Sequence, residues 1–189
     1  MTPPLALTAT RGWDITGKAA QLAVAAASLV VIAALCFRSD SMHEALIAAG
    51  VLGVIWVICV YDARTLLAPN RFVYPGIVFA IGAAFTLGPG AGLEALAGGL
   101  VAFIVMLVVA LAGRGRMGMG DVKMAALCGA AVGVRAVMPM LVVTFLLGGL
   151  IAAVALGSGR RSRSDSMAFT PLLGIAVLVT AIVWQSYLF

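Results

Sequence analysis

Apolar runs at about 20–37, 44–60, 72–87, 93–112, 136–157 and 168–187 follow one another with only short polar links between them. Each is close to the ~20 residues that carry a helix across the roughly 30 Å hydrocarbon core of a bilayer. A chain in lipid must satisfy its backbone hydrogen bonds internally, so runs of this kind fold as a bundle of membrane-crossing helices. Composition closes off the soluble alternative. With 63% hydrophobic and 10% charged residues in 189, and a mean hydropathy of +1.17, the chain cannot hide its apolar surface in a water-soluble globule. The expected fold class is an all-α polytopic membrane protein: one helical domain over residues 1–189, with 1–18 as a short cytoplasmic lead-in. Lys18 ahead of 20–37 has the layout of a secretory signal, but the run is long for one. Leu35 is also too large for the position before a lipoprotein cysteine at Cys36, so 20–37 is read as an uncleaved span.

Charge orients the spans. The net charge of +5 sits in short links rather than along one exposed face, which argues against a nucleic-acid partner and for topology signals. Residues 122–157 allow two readings: one long broken helix, or a short helix at 122–134 followed after Arg135 by a span at 136–157. The positive-inside rule puts both the Arg114/Arg116 link and the Arg160, Arg161, Arg163 cluster in the cytoplasm. Two crossings must then separate them, which selects the second reading and gives seven spans. Arg11, Lys18, Arg64, Arg71 and Lys123 fall on the cytoplasmic side too, leaving Arg38 and Arg135 outside.

In this topology Asp62 and Asp121 reach the same face, each at the border of a span. A helix over 122–134 rises only about 20 Å at 1.5 Å per residue, less than the hydrocarbon thickness. Asp121 is then recessed, and the glycine loop before it should line a wet cavity open to the cytoplasm. Ionisable groups at such depth are costly and mark function. Two nearby carboxylates hold one proton between them, so one can take a proton from water while the other donates to a developing oxyanion or leaving amine. Gly118 and Gly120 supply backbone freedom and room beside the acids. Asp121, at a helix start, also feels the positive end of the helix dipole, which favours its charged form. Lys123 either biases the pair or reaches to the interface, since residues two apart do not share a helix face. Asp121 alone could be a helix cap, and Asp62 an interfacial partner of Arg64. Their coincidence on one face is what points to chemistry. His43, alone in the polar link 38–43, is read as solvated. Cys36, Cys59 and Cys128 have no paired spacing and are read as buried thiols, so no metal, disulfide or cofactor is expected.

These residues carry a resemblance. Asp62, Arg64, Pro69 and Asn70 match the D-x-R-x-x-x-x-P-N segment of type IV prepilin peptidases, and Gly118–Lys123 matches their G-x-G-D-V-K segment. The resemblance implies a bacterial inner-membrane aspartic endopeptidase. It would cut the short basic leader from prepilins or pseudopilins at the cytoplasmic face, with Asp62 and Asp121 catalytic and Gly118, Gly120, Lys123, Arg64, Pro69 and Asn70 supporting the loops. Ala68 replaces a larger aliphatic residue of the family, and Ala168–Phe169–Thr170–Pro171 stands where the family carries P-F-G-P. The cysteine-bearing cytoplasmic insert of the larger two-function members is not found, which implies the short form seen with tight-adherence (Flp) pili and no N-methyl transfer. Neither the particular prepilin nor the oligomeric state follows.

Two alternatives stay open. Tyr61–Asp62 and G-x-G-D also resemble the paired motifs of presenilin and signal peptide peptidase, which hold both aspartates inside spans. A non-catalytic assembly subunit or small transporter could use the same acids to bind protons or cations. Reporters fused after residues 65 and 117 should both read as cytoplasmic. A reporter facing the other side at either position would break the topology on which the paired acids depend.

Overall fold

The structure is a computed structural model that describes Ala33 and residues 41–65, 70–113, 117–157 and 169–184. These form α1 (Met42–Thr65), α2 (Asn70–Leu87), α3 (Pro89–Ala112), α4 (Met119–Gly157) and α5 (Thr170–Trp184). The spans over Met42–Asp62, Asn70–Leu87, Pro89–Ala112 and Met119–Val154 are long and apolar enough to cross a bilayer, and α5 is a shorter apolar helix. Apart from Ala33, the expected run at 20–37 lies outside the described residues, as do the lead-in 1–18, Arg38 and the links carrying Arg114, Arg116, Arg160, Arg161 and Arg163.

α1 starts on a capping sequence. Ser41 Oγ accepts the Glu44 backbone N–H at 3.2 Å and the Ser41 carbonyl accepts that of Ala45 at 3.1 Å, closing the first turn. His43 is therefore in the helix rather than in a link, and its Nε2 lies 3.4 Å from Thr86 Oγ1 at the end of α2. Ala48, Val51, Leu52, Ile55, Ile58 and Cys59 are buried, and their spacing of three and four traces one face of the helix. The helix does not stop near residue 60 as the apolar run suggests. It continues to Thr65, so Asp62 extends the buried face by another step instead of opening a loop.

The link left between the apolar runs 72–87 and 93–112 is shorter than their spacing suggests. Gly88, at φ 137°, makes the turn and Pro89 opens α3, where its missing N–H costs nothing. Residues 90–92 are helical.

α3 and α4 cross through small residues. A Cβ added to Gly98 would strike the Gly129 carbonyl and the Gly133 backbone, and one added to Gly99 would lie 3.1 Å from the Ala126 carbonyl. Without a hydrophobic driving force between helices in lipid, such backbone proximity is what holds them together.

α4 bends back on itself at Gly133, which adopts φ 75° and ψ 170°. Asp121 and Phe145 would be about 36 Å apart along a straight helix, yet both reach the start of α5. Thr170 bonds to Asp121, and the Phe145 ring lies 6.0 Å from that of Phe169. The halves 119–132 and 134–157 thus run back along each other. This is the second of the two sequence readings, with the break at glycine, where positive φ is free, rather than at Arg135.

The bundle has two polar ends. At one, Arg135 pairs with Glu94 at 3.2 Å and His43 meets Thr86. At the other lie Asp62, Asn70, Asp121, Lys123 and the start of α5.

Replacing Gly98 by alanine should cost about 1–3 kcal/mol, because the added methyl meets backbone that cannot rotate away. Gly82→Ala, where nothing lies within 4 Å, is the neutral control. Thermal unfolding in detergent micelles measures both, and equal melting points would contradict the close crossing.

Candidate active site

The buried face of α1 sets the position of its carboxylate. Asp62 follows Cys59 by three residues on an apolar stripe, is only 4% exposed, and leaves Oδ2 buried without a hydrogen-bond partner. A lone apolar residue would satisfy the packing pattern there. An acid in its place, short of one partner, is the kind of arrangement that structure alone does not require.

Asp121 comes from the opposite direction, in the first turn of α4. Gly118 ends the preceding loop, its carbonyl accepts the Asp121 backbone N–H at 3.1 Å, and its own N–H is directed at the Asp121 carboxylate. Asp121 is therefore the third residue of its helix and reaches back to the capping position, rather than being the cap itself. Gly118 does not have positive φ and Gly120 is helical, so neither uses the special backbone freedom expected of it. A Cβ on Gly118 would sit 3.6 Å from Asp121 Oδ2, which makes the glycine's use one of room beside the acid.

The two acids meet at α5. The Thr170 hydroxyl donates to Asp121 Oδ1 at 3.3 Å, and the Asp62 carboxyl lies beside the hydroxyl and backbone N–H of the same residue. Asp62 lies within electrostatic reach of Asp121. Thr170 is fully buried. Its place is set one turn deeper, where Gly174 leaves space for Cys59: an added Cβ would lie 2.6 Å from Cys59 Sγ, and that thiol approaches the Thr170 carbonyl at 3.5 Å. Cys59 with Asp62, and Thr170 with Gly174, are neighbours at spacings of three and four on their own helices. One helix contact thus aligns the acid with its donor.

Lys123 faces elsewhere. Its Nζ donates to Asn70 Oδ1 at 3.1 Å and lies 4.9 Å above the Tyr74 ring, tying the start of α4 to the start of α2. Asn70 is therefore brought to the site end through Lys123. The side chains of Arg64 and Pro69 lie outside what is described. Cys59 and Cys128 are buried, as expected, and Cys36 is outside the described residues. Among the described residues no cluster of three or more His, Cys, Asp or Glu side chains is placed to hold a metal. A groove of about 450 Å³ between α1 and α2, lined by residues such as Gly53, Val57 and Phe79, carries no titratable side chain and offers no acid–base chemistry.

Thr170 was not among the expected site residues. The signal for it was local: a threonine just before a proline at the start of the last apolar run, in the stretch that departs from P-F-G-P.

The type IV leader peptidase family profile matches residues 49–153, a window that contains Asp62, Asn70 and all of 118–123. The chain belongs to the type IV leader peptidase family. Among curated proteins it is similar to the prepilin leader peptidase/N-methyltransferase of Bacillus subtilis (strain 168), with 25% identity over 122 residues, covering 65% of this chain and 49% of that protein. The chain spans about half the length of that relative. No solved structure matches it. Membership decides what helix geometry no longer can. With Asp62 inside α1, its position at the border of a span does not by itself separate the leader peptidases from the presenilin-like proteases.

Lys123→Ala and Asn70→Ala should each lower thermal stability modestly, and the double variant should lose less than their sum. The difference should be about 0.5–1 kcal/mol, the coupling of one charge-assisted contact. Additive losses in the same detergent would show that the tether carries no energy.

Proposed function

We propose that this chain is an aspartic endopeptidase that removes the short basic leader of type IV prepilins or pseudopilins at the cytoplasmic face of the bacterial inner membrane. Asp62 and Asp121 are its catalytic pair. Gly118, Gly120, Lys123, Arg64, Pro69 and Asn70 shape the loops and helix ends around them. The observation that carries the reading is the convergence of two carboxylates, from the end of α1 and the start of α4, on one buried residue, Thr170. Family membership supplies the substrate class.

In this mechanism the pair holds one proton. The ionised aspartate takes a proton from water as the oxygen attacks the scissile carbonyl, and the protonated one donates to the oxyanion and then to the leaving amine. The pair acts as a unit, so neither role belongs to one residue. The topology proposed with it has seven crossings, counting 20–37 and taking 119–132 and 134–157 separately. The short first half of α4 keeps Asp121 below the membrane surface, where a leader entering from the cytoplasm would meet it. The reaction proposed is peptide cleavage alone. The methyl transfer named for the Bacillus relative is left with that protein.

Co-expression with a candidate prepilin, followed by the size shift on a gel, tests the reading. Wild type should process the substrate, and Asp62→Asn and Asp121→Asn should each reduce the rate on the order of 10²-fold or more. Processing retained in either variant would remove that aspartate from the mechanism. Impaired pilus assembly with cleavage intact would favour a scaffold or transport role.

A further inference from the structure

We infer that Thr170 is the positioning residue of the aspartate pair, setting the register of the two carboxylates and following the proton they share. The inference rests on the peptidase reading above and extends it to a residue outside both aspartate motifs and beyond the 49–153 family window.

Three observations carry it. Thr170 is fully buried, so its hydroxyl must find partners inside the protein. Asp121 Oδ1 accepts from it at 3.3 Å, and the Asp62 carboxyl, whose buried Oδ2 has no other partner, lies beside the same hydroxyl and the Thr170 backbone N–H. The helix that carries Thr170 is keyed to α1 by the Gly174–Cys59 contact, so its distance from Asp62 is fixed by packing rather than by a loop.

A hydroxyl suits this place because it can donate one hydrogen bond and accept others. When the proton is on one aspartate, the hydroxyl can accept from that acid and donate to the ionised one. When the proton moves, the hydroxyl turns. A methyl group could do neither, and a second carboxylate would add a like charge. The backbone N–H has only one sense and stays with Asp62. The titratable groups beside Thr170 are Cys59 and Asp62 from α1 and Asp121 from α4, with Lys123 on the same turn of α4 but directed at Asn70 and Tyr74. Residues 170–184 contain no titratable side chain.

The test uses the full-length protein in detergent or liposomes with a prepilin substrate. Thr170→Val keeps the shape and loses the hydroxyl, Thr170→Ser keeps the hydroxyl, and Thr170→Gly restores the residue usual in P-F-G-P while keeping the backbone N–H. Thr170→Val and Thr170→Gly should lower kcat about tenfold or more, with KM within a few-fold, as for loss of one hydrogen bond felt in the transition state. Their pH–rate profiles should also change shape. Thr170→Ser should stay within about threefold of wild type with its profile intact, since its hydroxyl can make the same bonds. Infrared difference spectra between acid and neutral pH give a readout apart from turnover: the protonated-carboxyl band should move in Thr170→Val and not in Thr170→Ser. Valine and glycine variants with wild-type kcat, pH profile and infrared band, in a protein whose Asp62→Asn and Asp121→Asn forms are inactive, would overturn the role of Thr170 and leave the peptidase reading standing. Cleavage surviving in both asparagine variants would overturn the two together.

Discussion

A carboxylate buried at the end of an apolar helix has to be met by donors from another part of the protein, and the meeting of Asp62 with the start of α5 organises this one. Asp62 lies in the last turn of α1, where unpaired carbonyls present the negative end of the helix. Its own helix offers it no relief there. The first turn of α5 does, because the opening N–H groups of a helix are unpaired and point outward. Asp121 has the first turn of its own helix and the Gly118 N–H. The site is therefore built from one helix C-terminus and two helix N-termini, and the two acids stand in unequal surroundings. Such inequality is what an acid–base pair needs, since identical environments would leave the shared proton with no preferred position.

The packing that produces this meeting is far from the acids. Gly98, Gly99, Gly129 and Gly133 bring the α3 and α4 backbones together, and Gly133 supplies the positive φ at which α4 reverses. Reversal shortens the first half of α4 to 119–132, about 21 Å by helical rise. It also sends the second half back toward the aspartate end, where Phe145 and Gly148 pack on Phe169 and Leu172 just beside Thr170. A glycine at the far end of the bundle thus fixes both the length of helix behind Asp121 and the support beneath the start of α5. The Arg135–Glu94 pair holds the same turn from its polar side.

Much of this could be read from the residues. The apolar runs gave the helices, and charge asymmetry asked for a division of the run 122–157 that hydropathy does not show; the structure has a break there, at Gly133. The pair Asp62 and Asp121 was legible because acids are few and two lay at span borders. Helix ends were less so. Hydropathy ends α1 near residue 60, but nothing between Tyr61 and Thr65 breaks a helix, and Asp62 is buried against the start of α5, a neighbour that a one-dimensional pattern does not contain. The glycines of 88–92 interrupt the apolar pattern and read as a link, although in lipid glycine serves close helix packing too. Thr170 was hidden for a similar reason. Its stretch reads as a departure from P-F-G-P, and only the juxtaposition of three helix ends shows what the departure brings.

That departure bears on how the site is assembled. The window 49–153 contains both acids but neither Thr170 nor Gly174, so the acids and the group that joins them lie on separate parts of the chain. Helices α1 and α4 can approach through α2 and α3 by backbone and small-residue contacts, with Lys123 and Asn70 linking their polar end. Completion waits for α5. A glycine at position 170 could offer a backbone N–H to one carboxylate and nothing more. Threonine adds a hydroxyl whose sense can change with the proton, at the cost of burying one more polar group that only the acids can satisfy. Having committed that hydroxyl to the interior, the fold ties the docking of α5 to the presence of both aspartates. Position 170 thereby becomes part of the chemistry rather than of the wall around it.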